Sequence, residues 1–140
     1  MATSSSNATD CAGLSRLSTE TAGYLLPRVA IAVVFVGFAA WELVDPQYWV
    51  VYVPGLLSGH AWTLRLVQLH GVVLATTGVA VLLPRYARDG AIVATLLMAE
   101  ICLDILLANG FTSILLRDLG LLVLAGALIW LPYAAASAED

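Results

Sequence analysis

Residues 90–108 read GAIVATLLMAEICLDILLA, an apolar run whose only charged residues are Glu100 and Asp104 and which Asn109-Gly110 closes. At about 1.5 Å rise per residue, a helix of this length crosses the roughly 30 Å hydrocarbon core of a bilayer. Three more stretches of the same kind occur, at about 24–44, 62–83 and 113–131. Their ends are punctuated. Pro27 stands in the first turn of the first span, where its missing N–H costs nothing, and Asp45-Pro46 closes that span. Pro84 stops the second span, Asn109-Gly110 the third and Pro132 the fourth.

Composition agrees with four membrane spans. The chain of 140 residues is 61% hydrophobic and 11% charged, with mean hydropathy +0.91, well away from the roughly 25% charged usage of soluble domains. The net charge of −4 leaves no basic surface for nucleic acid. All six basic residues are arginine, a bias that points weakly to a prokaryotic halophile. Cys11 and Cys102 are too few and too far apart for a disulfide framework. The expected architecture is an all-α, antiparallel four-helix bundle in the membrane, forming one domain over residues 24–133. A disordered cytoplasmic tail, 1–23, precedes it and a short tail, 134–140, follows.

Between the first two spans, Gln47 to Leu57 is too apolar for a free loop and too short to cross. Its Trp and Tyr residues suit the headgroup interface, with Trp41 and Trp62 extending the same belt and Trp130 and Tyr133 forming the opposite one. Arg16, Arg28, Arg85 and Arg88 lie on the tail side, and Arg65 and Arg117 on the other. By the positive-inside rule both termini are then cytoplasmic in a multi-pass protein of the cell membrane.

Charged side chains inside spans are costly, and here they share one depth. Because the helices alternate direction, Glu42, Arg65, His70, Glu100, Asp104, Arg117 and Asp118 all fall in the outer half of the bundle. Glu100 and Asp104, four apart, share a face, and Arg117 is expected to pair with one of them across the short Asn109–Thr112 connection. Two readings stay open: an ion-paired lock that fixes helix register, or a pocket for a proton, a cation or a small ligand. His70 is either a titrating group or a packed, hydrogen-bonded one. Without a second histidine or a thiolate beside His70, Glu100 and Asp104, no metal site is expected. His60, in the interfacial segment, gives only a weak case for haem. Cys102 reads as a small apolar filler. Gly71, Ala75, Gly78, Gly37 and Gly120 read as places where helices approach closely.

Three segments carry a family resemblance: Ala39-Ala40-Trp41-Glu42-Leu43-Val44-Asp45-Pro46, the aromatic stretch ending Val53-Pro54, and Leu115-Leu116-Arg117-Asp118-Leu119-Gly120-Leu121-Leu122. Over residues 24–131 the chain resembles the DoxX family of small four-helix membrane proteins, with Arg-Asp-Leu at the start of the fourth helix as the most specific motif. Glu42 stands where the family often has lysine, and Leu74 where it often has a carboxylate. The resemblance implies a membrane component of an oxidoreductase system, offering a quinone or a small sulfur species the outer polar pocket and docking a redox protein partner. The chain has no CxxC, no paired histidines and no nucleotide-binding loop, so it holds no self-contained catalytic constellation and no redox group of its own. Two other functions compete: a membrane interaction or assembly factor whose charges are only structural, and a proton- or cation-coupled transporter that would have to be a homo-oligomer.

Overall fold

The computed structural model describes residues 6–131, with side chains from Gly23 onward. Five α-helices follow one another: α1 (Ser6–Val44), α2 (Pro46–Trp49), α3 (Thr63–Leu82), α4 (Ala87–Asn109) and α5 (Ser113–Trp130), with a single 3₁₀ turn at Val50–Tyr52 after α2. Four segments are long and apolar enough to cross a membrane: Gly23–Val44, Thr63–Leu82, Ala87–Asn109 and Ser113–Trp130. The chain is an all-α, multi-pass membrane protein. Each span begins and ends within about three residues of its expected bounds.

The N-terminal part differs from expectation. Helix α1 begins at Ser6, so residues 6–23 are helical and not an irregular tail, and Pro27 lies inside a helix instead of opening one. Proline there leaves the carbonyl four residues earlier without its helical donor, which a long helix tolerates at one position. Tyr133, expected in the second aromatic belt, and the 134–140 tail lie outside the described residues, as do the side chains of Cys11 and Arg16.

Local chemistry sets the connections. Leu83 is extended (φ −79°, ψ 118°) ahead of Pro84, as a residue before proline prefers. Gly110 adopts φ +71° and ends α4, a backbone that a side chain would strain. Thr112 then caps α5, its hydroxyl accepting from the Leu115 N–H at 3.2 Å.

Helix α1 packs chiefly on α3, α3 on α4 and α4 on α5, while α1 and α5 meet more sparsely. Small residues permit the tightest crossings. A Cβ at Gly71 would stand 3.1 Å from Glu42 Cβ and 3.3 Å from the Ala39 carbonyl, and one at Gly78 would stand 3.2 Å from Phe35 Cβ. Gly90 brings α4 against α3 so closely that a Cβ would meet the Val81 nitrogen at 2.8 Å. Gly37 and Gly120, expected to pack in the same way, have no atom near their Cβ directions. They sit on faces turned away from neighbouring helices. The central core is Ile31, Phe35, Leu74, Val81 and Leu128, all fully buried. Cys102 joins Ile105 and Leu115 in a second apolar cluster, which fits its reading as a filler.

Candidate ligand cavity

The end of the bundle at which α1 and α4 finish and α3 and α5 start holds a cavity of about 540 Å³. That falls inside the roughly 300–1,000 Å³ of small-molecule sites. All four long helices contribute to its wall, and the segment from Tyr48 to Leu57 folds back across it. This segment can lie over the bundle because Trp49 anchors it. The Trp49 ring packs on Phe38, Trp41, Tyr48 and Tyr52, with centroids 5.5, 5.5, 5.6 and 5.9 Å away. Trp41 and Tyr48 stack at 4.8 Å.

Six of the seven expected polar residues line this one space: Glu42, His70, Glu100, Asp104, Arg117 and Asp118. Arg65 does not. It is exposed on the outer face of α3 and its Nη1 donates to Gln68 Oε1 at 3.3 Å. From Arg65 to His70 is five residues, a turn of about 140° around the helix, so equal depth did not mean a shared face.

Glu42 is buried, and its carboxylate accepts from His70 Nδ1, with Oε2 at 2.9 Å and Oε1 at 3.1 Å. Gly71 allows it, since any side chain there would press on Glu42. The other ring nitrogen, Nε2, lies 3.5 Å from Glu100 Oε2, near enough for attraction but without hydrogen-bond alignment. His70 thus bridges carboxylates from α1 and α4. Sequence reading placed all three residues at one depth but did not join Glu42 to His70. The signal that could have joined them is the row Ala32, Phe35, Ala39, Glu42, spaced three and four apart and facing Gly71 and Gly78.

Arg117 pairs with its neighbour Asp118, Nε to Oδ1 at 2.7 Å, and not with a carboxylate of α4. Asp118 is buried and its charge needs a local partner, whereas Arg117 is more than half exposed and can fold along α5 to reach it. The Arg117 guanidinium also sits 5.8 Å from the centre of the Phe38 ring. Glu100 and Asp104 stand one turn apart on α4 and both line the cavity. No three His, Cys, Asp or Glu residues converge in a metal-holding arrangement among the described residues. His60 stacks on Trp62 at 5.3 Å, away from this wall.

Two buried side-chain nitrogens of wall residues lack a hydrogen-bond partner among the described residues, Trp49 Nε1 and His70 Nε2. Buried polar atoms are nearly always partnered, so these two nitrogens, closed off beside the cavity, are hydrogen-bonding capacity that the described side chains leave unmet. The lining is apolar and aromatic apart from the carboxylates, His70 and Arg117, the balance of a site for a molecule with an apolar body and a polar end.

No family model, characterised protein or solved structure matches the chain.

Proposed function

We propose that the chain is a DoxX-like subunit of an oxidoreductase system in the cell membrane, and that its cavity holds a quinone-class molecule. The observation that carries this reading is the cavity itself: about 540 Å³, walled by Phe38, Trp41, Tyr48, Trp49 and Tyr52, with His70 and Arg117 among its polar residues. A quinone ring is flat and apolar with oxygens at its edge, so the aromatic residues can stack on the ring while small side-chain movements bring Trp49 Nε1–H to a carbonyl oxygen and the His70 ring to the hydroxyl of the reduced form. When bound, such a molecule supplies the electron-carrying chemistry that no side chain here provides.

The protein's own contribution is orientation and proton handling. With Nδ1–H held by Glu42, neutral His70 presents a lone pair at Nε2 and can take a proton from a ligand hydroxyl. The buried carboxylate behind it stabilises the imidazolium that results. Electrons reach the cavity from a redox protein partner docked at the membrane surface. With both termini in the cytoplasm, as the arginine distribution favours, the cavity opens in the outer half of the bilayer.

The test is a titration of the purified protein in lipid nanodiscs with decylubiquinone, followed by quenching of tryptophan fluorescence. Saturable quenching that His70→Ala weakens by about tenfold or more, the loss of roughly one good hydrogen bond, is expected. Quenching that does not saturate, or that His70→Ala and Trp49→Phe leave untouched, overturns the proposal.

A further inference from the structure

We infer that Glu100 and Asp104 form a proton path between His70 Nε2 and the water at the aromatic end of the bundle. The path rests on the ligand reading above, because a proton needs a source or a destination inside the cavity.

Three observations converge on it. First, exposure rises from the buried end of the chain of groups: the side chains are 5% exposed at Glu42, 26% at His70 and 52% at Glu100, with Asp104 beyond it partly buried. Second, the contacts run in series. Glu42 holds Nδ1, Nε2 lies 3.5 Å from Glu100 Oε2, and Asp104 stands one turn further along the same face of α4 on the same cavity wall. Third, the direction is outward. Asp104 stands five residues before the end of α4 at Asn109, about 7–8 Å of helix, whereas Glu100 stands about 13–14 Å from it.

Charge count leaves Glu100 and Asp104 without a dedicated cation. Glu42 is matched by His70, and Asp118 by Arg117. Of the carboxyl groups facing the cavity among the described residues, which Tyr48 and Tyr52 of the connecting segment also face, Glu100 shares His70 with Glu42 and Asp104 has no basic partner. Carboxyl groups held at membrane depth without a dedicated cation are suited to proton relays.

The transfer balances without any electron. A proton on His70 Nε2 passes to the Glu100 carboxylate, then to Asp104, then to water; each group returns to its starting state, and the reverse order delivers a proton to the ligand. Glu42 stays outside the path and positions the ring. Glu100 and Asp104 are relay residues that act through His70.

The experiment is nuclear magnetic resonance of protein labelled with ¹⁵N-histidine in detergent micelles, on a His60→Gln background so that only His70 reports. The rate at which the Nε2 proton exchanges with water is expected to fall roughly 10- to 100-fold in Asp104→Asn, the size of a lost proton-transfer group. The Nδ1 signal, which reports the Glu42 contact, is expected to stay unchanged, and Asp104→Glu to restore the rate. Glu100→Gln is expected to slow exchange as well. Should that variant disturb the Nδ1 signal, Asp104→Asn decides alone. Unchanged exchange in Asp104→Asn overturns the path. Decylubiquinone binding, measured on the same samples, separates the two ideas: binding with unaltered exchange rejects the path alone, and slowed exchange without binding rejects the quinone alone.

Discussion

His70 Nδ1 and Glu42 Oε2 meet at 2.9 Å across 28 residues of sequence, joining α3 to α1 at the cavity wall. Both atoms are largely out of reach of water, so losing one partner leaves the other with an unmet requirement. Glu42→Leu is expected to destabilise the protein by on the order of 2–3 kcal/mol, with Glu42→Leu/His70→Leu recovering part of the loss. Thermal unfolding in lipid nanodiscs followed by tryptophan fluorescence measures it. A Glu42→Leu variant that melts with the parent would show the contact to be inconsequential.

Gly71 and Gly37 make opposite forecasts from the same residue type. Gly71→Ala forces a methyl to within 3.1 Å of Glu42 Cβ and 3.3 Å of the Ala39 carbonyl, and is expected to cost about 1–3 kcal/mol by overpacking. Gly37→Ala enters open space on a helix and is expected to be neutral or to stabilise by up to about 1 kcal/mol. Melting temperatures of the two variants, compared in one lipid, check the ordering; equal shifts would contradict the crossing geometry.

Arg117→Leu is expected to lower the melting temperature because it leaves the buried Asp118 carboxylate without its cation. Replacing Asp118 as well, in Arg117→Leu/Asp118→Leu, is expected to recover stability. Combining Arg117→Leu with Glu100→Leu and Asp104→Leu is not. Rescue by the α4 substitutions and not by Asp118→Leu would reassign the partner of Arg117.

The proposed orientation is tested chemically. In intact cells carrying Cys102→Ala, a membrane-impermeant maleimide is expected to leave Cys11 unlabelled until the membrane is opened. Labelling from outside would invert the topology and put the cavity on the cytoplasmic side.

The spans were legible because length and hydropathy alone decide whether a helix can cross lipid, and Pro46, Pro84 and Gly110 mark the ends. Depth was legible too, since antiparallel helices convert sequence position into height, and this gathered six cavity residues. What stayed hidden was rotation about each helix axis. Arg65 shared the depth of His70 and faced away; Arg117 shared the depth of Asp104 and turned to Asp118. Rotation is set by packing, here by Gly71 and Gly78 receiving α1, and packing depends on two helices at once. The helix over residues 6–23 was hidden for another reason: its Ser, Thr and Ala content reads as polar tail, with no hydrophobic period to betray a helix.

The cavity takes its wall from all four long helices, the Glu42–His70 pair coming from the first hairpin of the chain and the Glu100, Asp104, Arg117 and Asp118 groups from the second. Insertion into the membrane therefore delivers the site in two instalments. When α1 and α3 have docked, Glu42 is already satisfied, but the space beside His70 lacks the walls that α4 and α5 bring. A chain truncated after α3 would carry an intact ion pair and no site at all.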